Sequence, residues 1–338
     1  MATLAATVLT LNDWGKRLEP DGKTNVITEV LSQSNEMLDT MLWKEGNLPT
    51  GEQTTIRTGL PTVYWRILNQ GTPKSKSTTA QITENAAILS ARSEIDKDIV
   101  SLNSNDSAFR ISESFSFVEG MGQEMAQTLL YGSGANPEEF IGFSNRYNSL
   151  SATNGQNILD AGGSGSDNAS IWLVGWGPKT VHGIFPKGSK AGLEHDDLGL
   201  GDAFDSNNDR FRAYMDEYKW KGGLVVKDWR YAVRICNIDI SDLIALATTQ
   251  AVTASTAIIK LMSRAIDRFP SMNGITPVFY ANRTTLSGLR IMALDKSVSV
   301  LDIQSGLNQF GQTIQMTTFN GIPVKMEDQL TEAETAIT

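Results

Sequence analysis

The sequence predicts a mixed α+β fold, and three features of the 338-residue chain support this prediction. One long stretch has helical periodicity, and several shorter stretches rich in β-branched and aromatic residues are typical of strands. Glycine is also unevenly spread: six of the 29 glycines fall in residues 1–119, eighteen in 120–223 and five in 224–338. Because glycine favours turns and loops, the middle third should connect many short elements.

The first 50 residues predict a polar arm that contains a helical patch. The apolar residues of the patch recur at helix-like intervals with gaps, so the patch needs another surface to bury it. They are Val26, Ile27, Val30, Leu31, Leu38, Met41 and Leu42. Pro49 and Gly51 then end any helix.

The next segment predicts a long two-stranded ribbon with a polar tip. Strand-like residues 54–58 and 63–67 precede a basic, turn-like stretch at 69–77, and one extended run follows at 80–96. An isolated ribbon of two strands is marginally stable in water. We therefore expect another surface, such as a neighbouring subunit, to cover it.

A long amphipathic helix is predicted from a cap at residues 105–107 to about Leu130. Its apolar residues form one stripe over more than four turns. The stripe consists of Ile111, Phe115, Val118, Gly122, Met125 and Leu129. The sequence Tyr-Gly-Ser-Gly at 131–134 ends the helix.

The C-terminal half alternates strands and helices. Between residues 229 and 240 the apolar positions are odd up to Ile235 and even from Ile238, which predicts a β-bulge near Cys236 and Asn237. A helical region then starts at Ser241 or Asp242. A second amphipathic stripe, ended by Pro270, comprises Ile258, Met262, Ala265, Ile266 and Phe269. The remaining predicted elements are a strand at 278–280, a helix at 283–294 and a β pair at 313–316 and 321–326.

The composition excludes several classes of function. With 29 Lys and Arg against 38 Asp and Glu, the net charge is −9, which argues against a protein whose main task is to grip nucleic-acid phosphates. Cys236 is the only cysteine, so no disulfide can form within the chain. Together with the two histidines it makes fewer than the roughly four ligands of a structural zinc site.

Membrane and targeting signals are not apparent in the sequence. The longest apolar run, residues 243–247, falls far short of the roughly 20 residues that a membrane helix requires. No positive charge precedes the apolar N-terminal stretch, which argues against a secretory signal. We therefore expect a cytoplasmic product.

No motif predicts a catalytic, cofactor-binding or metal site. Residues 187–190 and 175–180 do not match a phosphate loop, and the serines among glycines lack the context of a hydrolase elbow. His195 is followed by two aspartates that could ligate a divalent metal, but the glycines around it favour a solvated turn. Cys236 is expected to be a half-buried, inert thiol.

Three of the seven tryptophans lie where little core is expected within the chain. Trp14 and Trp43 lie in the arm, and Trp65 lies in the ribbon. Large aromatic side chains in such places suit burial between proteins. Packing within the chain's own core is the alternative.

The order of several short motifs carries a family resemblance. The helix ends in Leu-Leu-Tyr-Gly-Ser-Gly at 129–134, Phe-Ile-Gly-Phe follows at 140–143, and Asn-Gly-Ile-Pro-Val comes late, at 320–324. With the arm, ribbon and long helix, this order resembles the major capsid proteins of tailed bacteriophages with the Hong Kong 97-like fold. Residues 283–286 resemble a helix start of that family, and residues 175–186 resemble its podovirus-type subgroup. The resemblance spans nearly the whole chain.

The resemblance implies four regions. An N-terminal arm would occupy residues 1–50 and an extended β loop residues 51–95. A peripheral domain with a long spine helix would comprise residues 96–145 and 318–338. An axial domain would fill residues 146–317.

The resemblance also implies a function and partners. Such subunits form pentamers and hexamers that close into an icosahedral shell around double-stranded DNA, so we expect a virion protein that assembles in the host cytoplasm. The implied partners are further copies of the chain, a portal and a separate scaffolding protein, with no membrane and no sequence-specific DNA binding; a decoration protein is an optional partner that the sequence leaves open. A separate scaffold is expected because the 50 residues before the ribbon leave little room for a fused one. The acidic charge suits a container along which packaged DNA must slide.

Assembly contacts are expected from the aromatic residues of the arm and ribbon and from the basic residues of the ribbon. These are Trp14, Trp43, Trp65, Arg57, Arg66, Lys74 and Lys76. Two other classes of function stay open at this point. One is an encapsulin-like compartment shell of the same fold, and the other is an α+β hydrolase that uses carboxylates, with a metal at His195.

Overall fold

The computed structural model describes residues 32–101, 106–205, 207–245, 252–294, 301–307 and 313–338. Within these ranges the helices are α1 (Glu36–Thr40), α2 (Lys97–Ser101), α3 (Asp106–Tyr131), α4 (Phe143–Arg146), α5 (Ile240–Ala245), α6 (Val252–Asp267) and α7 (Arg283–Leu294). Of the predicted arm, residues 1–31 lie outside the described residues, and so does Trp14. None of the described helices is both long and apolar enough to cross a membrane.

The strands of the first half are β1 (Trp43–Glu45), β2 (Gly51–Gly59), β3 (Thr78–Asn85), β4 (Ala87–Asp96), β5 (Ile158–Asp160), β6 (Asn168–Trp176) and β7 (Val181–Phe185). Those of the second half are β8 (Leu193–Phe204), β9 (Arg210–Val226), β10 (Ala232–Asp239), β11 (Thr276–Ala281), β12 (Leu301–Leu307), β13 (Thr313–Phe319) and β14 (Ile322–Met326). The predicted mixed α+β class is confirmed.

Strand β6 is the centre of the main sheet. It pairs antiparallel with β10 and with β11, and β14 continues the sheet parallel to β11. All nine residues of β6 are buried, because both faces of the strand are covered. Ile171 and Leu173 face a core that includes residues of α5, α6 and α7, while Trp172 and Val174 face a core that includes residues of α1, α3 and α4.

A second group of strands lies beside α3. Strand β9 pairs antiparallel with both β4 and β8, and β7 joins this group to the main sheet by pairing with β9 and with the end of β6. The ring of Phe117 on α3 stacks on Tyr218 of β9, with centroids 5.4 Å apart. Packing of this kind holds the helix against the sheet.

The structure confirms several element predictions and corrects three. Helix α7 and the bulge in β10 are confirmed: the register of β10 shifts between Ile235 and Ile238, and Asn237 has a φ of +56°. Residues 63–67, expected as a strand, form none, because no strand lies opposite them. The extended run at 80–96 is two strands, and β4 leaves the ribbon to pair with β9.

The third correction concerns His195. It lies in strand β8 rather than in a solvated turn, because β9 supplies a pairing partner over eleven residue pairs. The four regions implied by the resemblance stay predictions. The sheet nevertheless crosses their boundaries, since β9 pairs with β4 and β14 pairs with β11.

Candidate assembly surface

The ribbon of β2 and β3 projects from the rest of the subunit. The two strands pair antiparallel from Gly51 with Asn85 to Gly59 with Thr78. Every residue from 60 to 80 is exposed. The ribbon therefore offers its outer half to whatever lies beside the subunit.

The loop between the two strands exposes large apolar side chains. Trp65 is fully exposed, and the exposed fraction of each of four others is at least 70%. These four are Leu60, Val63, Ile67 and Leu68. The tip is thus apolar as well as basic, rather than only polar as the sequence suggests. A concentration of large, exposed apolar side chains on one loop is typical of an interaction site.

All charged residues of the ribbon and its loop, between the two glutamates at its base, are basic. Residues 53–83 contain Arg57, Arg66, Lys74 and Lys76 and no acidic residue. All four cationic side chains are exposed, and none has an ion-pair partner among the described residues. The ribbon is therefore a positively charged projection on a chain whose net charge is negative.

An acidic groove lies on the body of the subunit, at the start of β4. Its volume is about 290 Å³. Apolar side chains of Ile88, Met125 and Phe140 line it together with carboxylates of α3 and of the segment before α4. The carboxylates are Glu124, Glu138 and Glu139. Its apolar and acidic lining complements the chemistry of the ribbon loop.

Trp43 packs within its own chain, although it was expected to lie where the chain has little core. It lies in β1, which pairs with β7, and its ring packs against Trp220 of the same chain with centroids 6.3 Å apart. The premise that Trp43 lies outside the core of its own chain is therefore wrong. Strand β1 joins the sheet because it pairs with β7 along residues 183–185.

Two buried carboxylates at the base of the ribbon are functional candidates that the sequence reasoning missed. Glu52 of β2 is 4% exposed and Glu84 of β3 is 8% exposed. Glu52 is bound by Lys227, whose Nζ lies 2.6 Å from Oε1, and by His182, whose Nε2 lies 2.9 Å from Oε2. A signal was present, since these are the first acidic residues on either side of the acid-free segment.

Glu84 is held by a bidentate ion pair. Nη1 and Nη2 of Arg146, the last residue of α4, donate to its two carboxylate oxygens at 2.6 and 2.7 Å. Paired, charge-assisted hydrogen bonds of this kind are stronger and more directional than hydrogen bonds between neutral groups.

The surroundings shift two pKa values at the ribbon base. Burial alone raises the pKa of Glu52, but the hydrogen bonds from Lys227 and His182 outweigh it and leave the pKa below its usual value. Burial lowers the pKa of His182, so the imidazole is neutral at neutral pH. Glu52 is then an anion between a cation and a neutral donor.

The histidine considered as a metal ligand forms a protein contact instead. Nε2 of His195 lies 3.0 Å from Oδ1 of Asp216, and the guanidinium of Arg110 donates to the same oxygen at 2.9 Å. Arg110 also binds Asp197 at 2.8 Å, and that hydrogen bond is the main reason why the pKa of Asp197 is lowered. Within the described part of the chain, no group of three or more His, Cys, Asp or Glu side chains is arranged to hold a metal ion.

Cys236 is more deeply buried than expected. Its exposed fraction is 0% rather than half, because β10 is covered on both sides. Burial raises the pKa of the thiol to about 11. The reactive thiolate is therefore disfavoured at neutral pH.

Comparisons with known proteins identify relatives of the whole chain. The family model of major capsid protein GP7 matches residues 19–338. The solved structure of bacteriophage epsilon15 is similar with a TM-score of 0.77 at 30% identity, covering 100% of both chains. The capsid of bacteriophage JBD30 is similar with a TM-score of 0.50 at 11% identity, covering 90% of this chain and 94% of that one. Among curated proteins no match was found.

Proposed function

The chain belongs to the major capsid protein GP7 family, and we propose that its copies join as pentamers and hexamers through the ribbon. It is accordingly a shell-forming protein of a tailed bacteriophage, with the Hong Kong 97-like fold, and a component of the virion. The family is structural, which favours a subunit over a hydrolase. Membership of a phage capsid family likewise disfavours the encapsulin-like alternative.

The ribbon loop carries the proposal. A fully exposed tryptophan among four further exposed apolar residues has no role in the core of its own subunit. Burial of that surface against a neighbouring copy would remove it from water, and burial of apolar area is the main favourable term in association. Arg57, Arg66, Lys74 and Lys76 would add attraction to the acidic groove of the neighbour.

The remaining partners are proposed from the family alone. The shell encloses double-stranded DNA without reading its sequence, and it assembles in the host cytoplasm with a portal and a separate scaffolding protein. A decoration protein would bind the finished shell. Trp14 and Trp43 are proposed as further assembly contacts, and Trp43 is only partly buried in its own chain.

Replacement of Trp65 by Ala tests the proposal. We expect Trp65→Ala to reduce shell assembly strongly while the subunit keeps its thermal transition, because the side chain is fully exposed in its own subunit. Trp220→Ala is the control, since its ring packs against Trp43 and its loss should destabilise the subunit. Electron microscopy counts shells, and circular dichroism follows unfolding. Equal loss of assembly and of subunit stability in Trp65→Ala would contradict the proposal.

A further inference from the structure

The base of the ribbon holds two acidic side chains at directly paired positions. Glu52 and Glu84 are partners in the antiparallel register of β2 and β3, so their side chains lie on the same face of the ribbon. Like charges at directly opposite positions repel each other. Both are buried, so each carboxylate needs a cation to balance it.

The cations come from separate parts of the body. Lys227 follows β9 and binds Glu52 at 2.6 Å, while Lys44 of β1 approaches the same carboxylate at 3.8 Å. Arg146 ends α4 and binds Glu84 with both terminal nitrogens. Cations from three separate segments of the chain thus bind the base of the ribbon.

The cation that binds Glu84 is itself fixed in place. Nε and Nη2 of Arg146 donate to the carbonyl oxygen of Ile141 at 3.2 and 3.1 Å. Its guanidinium plane is therefore set by its own loop before it meets Glu84. A bidentate pair to a fixed guanidinium defines a direction as well as a contact.

The backbone at the base is also closely packed. A Cβ added to Gly51 would collide with the carbonyl oxygen of Glu84, and one added to Gly223 of β9 would lie 2.8 Å from the carbonyl oxygen of Asn85. These glycines let the two strands of the ribbon and β9 approach one another. Beyond the base, residues 60–80 are all exposed, so the direction of the ribbon is set at its base.

We propose that Glu52, Glu84, Lys227 and Arg146 form a base clamp that fixes the direction in which the ribbon projects from the free subunit. This inference rests on the proposed role of the ribbon in assembly. A ribbon held in one direction presents its loop to a neighbouring copy without first losing orientational freedom, and such preorganisation favours binding. When one of the two ion pairs is lost, the outer ribbon samples a wider range of directions.

Distance measurements between spin labels on the unassembled, full-length subunit test the clamp. One label is attached at Ser77→Cys, beside the start of β3, and the other at Lys260→Cys on α6, where both native side chains are exposed. Cys236 is buried and does not compete for the label. Double electron–electron resonance then reports the distribution of distances from ribbon to body.

We expect a single narrow distribution in the labelled parent and a roughly twofold wider one in Glu84→Gln. Arg146→Lys, which keeps the charge but loses the second hydrogen bond, should give an intermediate width. Glu94→Gln is the matched control, because its carboxylate pairs with Arg92 at the surface, and it should leave the width unchanged.

Unchanged widths in both Glu84→Gln and Arg146→Lys would overturn the proposal. Loss of the cooperative thermal transition in both variants would overturn it as well, because the ion pairs would then support the whole fold. The measurement needs no assembly, so its result is independent of Trp65→Ala. Failure of the ribbon contact and failure of the clamp are therefore distinguishable.

Discussion

Buried carboxylates hold the C-terminal segment on the central sheet. Glu334 lies 2.9 Å from the guanidinium of Arg234, and it also accepts hydrogen bonds from Ser170 and from the hydroxyl of Tyr131. The guanidinium of Arg234 lies over the ring of Trp172. Every oxygen and nitrogen of this pair that faces the core has a partner, which is the condition under which a buried ion pair is tolerated.

Glu327 is a buried carboxyl group with no cation directly bound to it among the described residues. Its Oε2 accepts the backbone N–H of Met37 at 3.0 Å, and its Oε1 is buried without a partner. The pKa of Glu327 is raised to about 8, mainly by burial and in smaller part by the negative charges of Asp328, Glu36 and Asp39, which together outweigh the hydrogen bond from Met37. The folded subunit therefore favours the protonated form.

This raised pKa predicts a pH-dependent stability. Between the usual pKa of about 4.5 and the folded value of about 8, the folded state binds more protons than the unfolded state. The free energy of unfolding should therefore fall as the pH rises through that window, by up to about 1.4 kcal/mol per unit. Glu327→Gln, which is neutral throughout, should unfold like the parent near pH 5 and be more stable than the parent near pH 9.

Urea unfolding at the two pH values measures the difference. Glu332→Gln serves as the control, because Glu332 is exposed on the same C-terminal segment, and its curves should parallel those of the parent. A stabilisation of Glu327→Gln that is equal at both pH values would contradict the raised pKa.

At the level of elements, helix α3 has two unlike halves. Met125 and Leu129 of its apolar stripe are buried, but Ile111, Phe115 and Val118 are exposed by 55, 61 and 43%. The second half packs in the core beneath β6, whereas the first half meets β9 with a different face, through Phe117. The single apolar stripe of α3 is therefore buried in the core along its second half and exposed at the surface along its first half.

Substitutions along this one stripe should differ sharply in their effect on the subunit. Leu129→Ala should lower the free energy of unfolding by about 2 to 5 kcal/mol, because it leaves a cavity in the core. Phe115→Gln should change it by less than about 0.5 kcal/mol. Urea titration of the two purified variants provides the comparison. A large loss in Phe115→Gln would mean that the first half of the helix is covered within its own subunit.

The same contrast explains how far the elements could be predicted. Periodicity identified α3 and α6, and a phase change identified the bulge in β10, because local burial imposes these patterns. It could not distinguish apolar residues that face a core from those that face solvent. It also could not show that β4 pairs with β9, because strand partners more than one hundred residues apart leave no local signal.

The candidate site was predicted in part for the same reason. The basic stretch and the position of Trp65 outside the core follow from the sequence, but the apolar character of the loop does not, because residues 63–67 were expected as a strand with a polar tip beyond them. The contacts at the base of the ribbon could not be predicted from the sequence. Arg146, His182 and Lys227 are distant from Glu52 and Glu84 in sequence, and only the fold brings them together. The position of Trp43 was misjudged because its partner, Trp220, is also distant in sequence.

At the scale of the whole molecule, charge is segregated between the ribbon and the body. Residues 53–83 carry four positive charges and no negative ones. When these four are subtracted from the net charge of −9, the rest of the chain carries −13. In a shell the positive ribbon of one copy would lie against the negative body of another, while the bodies repel one another.

The salt dependence of assembly should separate the attraction between ribbon and body from the repulsion between bodies. Raising the salt concentration from about 0.1 M to about 1 M shortens the screening length from about 10 Å to about 3 Å. Removal of two ribbon cations in the double variant Lys74→Gln, Lys76→Gln should slow assembly severalfold at the lower concentration and have little effect at the higher one. Repulsion between bodies is common to parent and variant, so it cancels in the comparison. Light scattering follows assembly, and Lys260→Gln on α6 provides a matched control outside the ribbon. If the double variant assembled as fast as the parent at low salt, the ribbon charges would have no part in the contact.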